Sequence, residues 1–265
     1  MPDKTDIFLL WRLTFFCGKA VINREIFLPH IAVFGLRLGS NATMGFIPLA
    51  IPLMSMFFIW TSLYFYLCII NPHRSHEWNC RLVTVCHGAL TSLLSFWSAF
   101  ITGPWPLVAM GDANTPFHTF IATFTLSYFL FDFLWCSYMG TEGFVMLLHH
   151  IISTCGIVFV LFDGYSGPEL AATILGTEIS NPFLQIRWFM RETGQYQTLL
   201  AKLNDVVFMM MFICWRLGPG TLLCYRTLSS KKPKLFVKLG GLGMYLISWV
   251  WVFFIIRFAK KRFFK

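Results

Sequence analysis

Nineteen consecutive residues, 144–162, pass without a single Lys, Arg, Asp or Glu. A helix needs about 20 apolar residues to cross a hydrocarbon core about 30 Å thick, so this run has the length of a membrane span. Comparable runs recur at 46–70, 82–101, 117–138, 170–189, 203–223 and 236–258, separated by short polar stretches. They exclude a soluble domain, and composition agrees: 57% of the chain is hydrophobic and only 12% charged, against roughly a quarter charged in ordinary globular domains. A transmembrane barrel is excluded as well, because barrel strands alternate apolar and polar residues and none of these runs does.

The expected fold is therefore an all-α, polytopic membrane bundle of about seven helices around a polar-lined cavity. The fifth run holds Glu178, Asn181, Pro182, Gln185 and Arg187 and reads as a broken or re-entrant element, so six spans stand as the alternative. Linkers such as Gly103-Pro104-Trp105-Pro106, Asn114-Thr115-Pro116 and Gly167-Pro168 are brief and rich in turn residues. Short linkers make neighbouring helices antiparallel. Residues 1–45 are apolar but interrupted by Lys4, Arg12, Lys19, Arg24 and Arg37; they read as a basic leader, interfacial or poorly ordered, ahead of a transmembrane domain at 46–265.

The net charge of +9 is carried by cations that flank spans, where lipid phosphates lie, so a membrane surface accounts for it and nucleic-acid binding is set aside. With the leader left out, ten Lys and Arg lie on one side of a seven-span arrangement and five on the other. The richer side includes the C-terminus, which is expected to be cytosolic. The endoplasmic reticulum and the plasma membrane both suit such a chain. The eight cysteines are scattered, without a CxxC pair, and read as small apolar packing residues.

Chemistry must come from polar groups inside the spans, where an ionisable side chain is costly and marks a candidate site. His149 and His150 stand side by side in the uncharged fourth run; neighbouring helical residues point about 100° apart, so at least one imidazole faces the bundle interior. Thr84, His87, Thr91 and Ser95 share one helical face, as do Thr125, Tyr128 and Asp132, while Glu178, Asn181 and Gln185 recur at i, i+3 and i+7. Their plainer readings are structural: His87 as a helix-to-helix hydrogen bond, Asp132 as a neutral acid or the partner of Arg216. No HExxH or similar spacing sets two metal ligands on one face. No metal and no cofactor is expected, and nucleotide-binding and hydrolase motifs are absent.

The run Glu142 through Leu148-His149-His150-Ile151-Ile152-Ser153, the segment Gly176-Thr177-Glu178-Ile179-Ser180-Asn181-Pro182-Phe183-Leu184-Gln185-Ile186-Arg187-Trp188-Phe189, and Arg191-Glu192-Thr193-Gly194 resemble the TLC domain family, named for the TRAM, Lag1 and CLN8 proteins. The resemblance implies helices around a lipid-sized cavity, with membrane lipids, and long-chain acyl groups or acyl-CoA, as partners. Ceramide synthases of that family carry adjacent histidines followed one helix later by His-Asp. His149 and His150 match the first element; Thr177, Glu178 and Asn181 stand where the second belongs, so it is missing. Asn204-Asp205 lies a further helix along and reads as a boundary or capping feature.

The resulting expectation is a protein that binds, senses or regulates membrane lipids. The alternative is an acyl-CoA-dependent N-acyltransferase of the ceramide synthase type. In that alternative His149 or His150 is base or acyl acceptor, Glu178 orients the imidazole, and Asn181 or Gln185 donates to an oxyanion, while His87, Asp132 and Arg187 line the cavity. A transporter built on the broken fifth helix is a third class, without a detectable inverted repeat.

Overall fold

The structure, a computed structural model, describes residues 42–263, with side chains from residue 49 onward. The expected leader lies outside the described residues, except that its last residues open the first helix. Residues Gly45–Lys265 form one unit. All its regular elements among the described residues are helices: α1 (Ala42–Ile70), α2 (His76–Trp97), which a π-helical turn (Ser98–Thr102) continues, α3 (Pro116–Met139), α4 (Phe144–Asp163), α5 (Gly167–Glu178), α6 (Asn181–Glu192), α7 (Leu199–Leu217), α8 (Pro219–Ser229) and α9 (Leu235–Phe263).

The boundaries follow local chemistry. Ser75 caps α2 by accepting the Trp78 N–H, with Glu77 in the first turn where the helix dipole favours an acid. Thr115 and His118 form a reciprocal capping box before α3, with Pro116 at its start, a position where the missing N–H costs nothing. Gly140 and Gly164 end α3 and α4 in the left-handed region at φ 62° and 76°, which glycine alone enters freely.

Six segments are long and apolar enough to cross a membrane, one of them the combined stretch Leu199–Ser229. The fifth expected span is broken into α5 and α6 by Ile179 and Ser180, with Pro182 in the first turn of α6. The pair nevertheless runs the length of α2. Glu169, at the start of α5, accepts the Gly111 N–H at 2.9 Å. The joint lies at Gly88 of α2, where an added Cβ would meet Pro182 Cδ at 3.3 Å. At the far end Phe189 packs on Trp78, ring centroids 4.5 Å apart.

Loops therefore alternate between two ends of the bundle, which we term rim and floor. At the rim, Arg81 reaches Glu142 at 3.4 Å and Arg262 reaches Gln197 at 3.3 Å. At the floor, Lys232 pairs with Asp112 at 2.7 Å and the Ser166 N–H donates to the Asp112 carbonyl at 2.8 Å. Among the described residues, six long segments and the α5–α6 pair run between rim and floor.

One expected span is revised. The sixth run, read as a single helix, is divided at Gly218-Pro219 into α7 and α8. Proline lacks the N–H that would continue the ladder. A side chain on Gly218 is excluded too, since its Cβ would lie 2.6 Å from the Cys214 carbonyl oxygen.

Outward faces are apolar, as in Ile69, Phe144 and Leu235, all exposed, which suits helices whose outer solvent is lipid. Inside, Trp60 and Tyr64 of α1, Val83 of α2, Leu126 and Phe129 of α3 and Ile157 of α4 form one core cluster, while Phe208, Phe212, Val252 and Ile255 join α7 to α9 in another. Large rings make the contact of α1. Trp60 donates to Ser127 Oγ at 3.2 Å and meets His87 and Tyr128 edge-on.

Candidate functional site

The stripe on α2 is buried as its spacing predicts: Thr84, His87, Thr91 and Ser95 are all inside. It is tied to the stripe on α3, with Thr91 and Thr125 hydroxyls 2.9 Å apart and Tyr128 donating to Thr84 Oγ1 at 2.9 Å. Hydrogen bonds between small polar residues hold helices together where lipid offers no hydrophobic drive. His87 lies behind this seam. Its ring stacks on Tyr128, centroids 3.8 Å apart, and its fully buried nitrogens have no hydrogen-bond partner. The expectation that His87 lines the cavity is thus corrected, because the Tyr128 ring covers it.

On the rim side of this seam lies a cavity of about 280 Å³ lined by residues of α2, α3, α4 and the α5–α6 joint. Asp132, His149, His150, Glu178, Asn181, Gln185 and Arg187 all border it. Seven of the eight residues singled out from the sequence are therefore brought together; His87 is the exception.

The adjacent histidines diverge as helical geometry requires. His150 Nε2 sits 3.3 Å from Asp132 Oδ2, so α3 supplies the carboxylate that faces the imidazole. His149 turns toward Trp251 of α9, ring centroids 5.1 Å apart. The Nδ1 atoms of both rings are buried without a hydrogen-bond partner.

Two expected pairings are corrected. Glu178 does not orient either histidine: its Oε2 accepts the Asn181 side-chain N–H at 3.0 Å and lies 3.8 Å from His87 Nδ1. Asp132 does not meet Arg216, which donates instead to Ser248 Oγ at 3.1 Å and the Thr177 carbonyl at 2.9 Å. Both errors arise because helix rotation, which decides these partners, is not set by spacing along one helix.

A directed chain of hydrogen bonds lines one wall. Arg81 donates to Gln185 Oε1 at 2.9 Å, Gln185 donates to Asn181 Oδ1 at 2.9 Å, and Asn181 donates to Glu178. Each amide thus has one N–H already engaged, where the sequence assigned it to an oxyanion. Arg81 also holds Glu77 at 2.8 Å and Glu142 at 3.4 Å. Burial pushes the Glu142 carboxyl above the usual carboxylate range, partly offset by the Arg81 guanidinium. A charged donor at one end of such a chain polarises the bonds that follow.

Arg187 lines the cavity edge and lies 3.2 Å from Asp205 Oδ1, while Arg262 donates to Asp205 Oδ2 at 2.9 Å. The reading of Asn204-Asp205 as a capping feature is corrected: Thr198 caps α7, and buried Asp205 ties α6 to α7 and α9.

Arg81, Cys80 and Cys136 also border the cavity without having been singled out. The signal for Cys136 was its position four residues after Asp132, which puts both on one face of α3, so the expectation that no such spacing exists is corrected. Asp132, Cys136 and His150 offer a carboxylate oxygen, a thiol sulfur and an imidazole nitrogen within 4.8 Å of one another. These are ligand types that suit a divalent ion such as zinc.

A helical membrane bundle enclosing an imidazole–carboxylate pair beside a polarised amide chain defines a polytopic membrane protein with an internal polar site. The TLC domain family model matches residues 58–259, and the chain belongs to that family. It is 27% identical over 190 residues to TLC domain-containing protein 1 of Rattus norvegicus, covering 67% of this chain and 70% of the relative. TLC domain-containing protein 4 A of Dictyostelium discoideum is 25% identical over 142 residues, 52% of this chain and 54% of that protein. Protein CLN8 of Homo sapiens is 32% identical over 74 residues, 28% of this chain and 26% of that protein.

Proposed function

We propose that this protein binds a membrane lipid head group in the rim-side cavity and, through that binding, senses or regulates membrane lipid composition. One observation carries the reading: polar groups from α2, α3, α4 and the α5–α6 joint converge on a single cavity of about 280 Å³ inside a bundle otherwise faced with hydrocarbon. Such convergence is expensive unless a polar ligand or a mutual network satisfies it, and the buried Nδ1 atoms of His149 and His150 have no hydrogen-bond partner, so the network leaves part of its hydrogen-bonding capacity unused. Mass spectrometry of lipids co-purifying with the protein tests it. A species enriched over the surrounding membrane is expected with the wild type, and depleted with Glu178→Gln and His150→Ala. A wild-type profile identical to the bulk membrane overturns the reading.

A second reading, acyl transfer of the ceramide synthase type, is favoured by the Asp132 carboxylate 3.3 Å from His150. A carboxylate in that position holds an imidazole in one tautomer and stabilises its protonated form, as general-base catalysis requires. The carboxylate comes from the preceding helix, in place of the missing His-Asp element. Protein given long-chain acyl-CoA and a sphingoid base should then form N-acyl product, with Asp132→Asn slowing the reaction about 10²- to 10⁴-fold and His150→Ala abolishing it. Lipid retention without turnover leaves the binding reading standing.

A further inference from the structure

Toward the floor lies a second cavity, about 520 Å³, between α5, α7, α8 and α9. Its size falls within the range of about 300–1,000 Å³ usual for small-molecule sites. Its walls are largely apolar, with Leu175, Trp215, Leu223 and Met244 among them, and Arg216 is the one charged residue that borders it among the described residues. Gly218 and Pro219, at the break between α7 and α8, border it too.

Arg216 is only 7% exposed. Besides its hydrogen bonds to Ser248 and the Thr177 carbonyl, its guanidinium lies 4.3 Å from the Phe212 ring centroid, yet Nε is buried without a partner. No carboxylate among the described residues pairs with it. Glu178, on α5, acts on the guanidinium through space without forming an ion pair, and its carboxylate accepts from Asn181. A guanidinium stays charged in any protein setting, and a buried charge without a counter-charge is strongly unfavourable. The buried acid Asp205 has its cations within ion-pair reach; this cation has no acid that close, Glu178 acting on it only through space.

We propose that this second cavity binds a lipid with one long apolar chain and an anionic head, the head on Arg216 and the chain along the apolar walls. A carboxylate or phosphate supplies the ion-pair partner that the bordering guanidinium lacks, and the walls account for the chain, since a small hydrated anion gains nothing from burying apolar surface. The cavity is distinct from the histidine cavity, though adjoining residues line the two, and the proposal does not rest on the function proposed there.

The full chain in phosphatidylcholine nanodiscs, titrated with radiolabelled oleate above the counts of empty discs, tests this. Saturable binding is expected, displaced by unlabelled oleate and by oleoyl lysophosphatidic acid; whichever displaces at lower concentration identifies the head as carboxylate or phosphate. Oleyl alcohol, with the same chain and a neutral head, should compete at least tenfold more weakly. Arg216→Met should weaken oleate binding at least tenfold. Gly241→Leu should do the same while leaving Arg216 in place, because Gly241 lines the cavity and its Cβ direction is open. His150→Ala should bind oleate as the wild type does, whatever becomes of the rim-side cavity. Equal competition by oleyl alcohol, a comparison that needs no variant, overturns the proposal, and so does wild-type binding by Arg216→Met.

Discussion

The two cavities are built on opposite principles. At the rim, each acid bordering the cavity faces a donor of the protein's own: Asp132 faces His150, Glu178 takes Asn181, Glu142 takes Arg81. Toward the floor, a single cation borders a largely apolar cavity with no acid among the described residues in ion-pair contact with it. The first is a network that holds its own shape and leaves the remaining imidazole nitrogens without a partner. The second is a charge without an ion-pair partner of its own. The difference separates charges paired with partners of opposite charge from one held by neutral groups alone.

Stability measurements on the variants, read as thermal unfolding in detergent without added lipid, can break that comparison. The largest effect is expected at Asp205, whose side chain is 1% exposed between Arg187 and Arg262. Asp205→Ala leaves two cations without their shared acid and should cost about 3–5 kcal/mol. Gln185→Ala cuts the rim chain in the middle, stranding Arg81 and Asn181, and should cost about 1–3 kcal/mol. Trp60→Phe removes one bond to Ser127 while keeping a ring against Tyr128, and about 0.5–1.5 kcal/mol is expected. Arg216→Met should cost least, and a rise in melting temperature is consistent with relief of an unpaired buried charge. A loss at Arg216 as large as that at Asp205 would show the cation to be structural, erasing the distinction between the cavities.

Much of this architecture is legible in the chain. Uncharged runs define the long crossings because a hydrocarbon interior tolerates nothing else, and the polar residues around Pro182 announce the broken crossing. The second break, at Gly218-Pro219, is hidden because the residues on both sides are apolar and hydropathy continues across it. Stripes such as Thr84, His87 and Thr91 reveal which face turns inward. They do not reveal which residue of one stripe meets which of another. That depends on the rotation and height of each helix, so Asp132 finds His150 and not Arg216, and Glu178 lies beside His87 and not beside the doublet. Asp205 escaped for the same reason: its two arginines come from other helices, Arg262 from one far away in the chain.

The α5–α6 joint gives these observations a structural meaning. Thr177 borders the floor-side cavity and Glu178, the next residue, borders the rim-side one, so the chain passes from one lining to the other across a single peptide unit. The Thr177 carbonyl holds Arg216 while the Glu178 carboxylate holds Asn181. Both contacts are thus anchored on adjoining residues of one stretch of backbone, which gives the two compartments a wall in common.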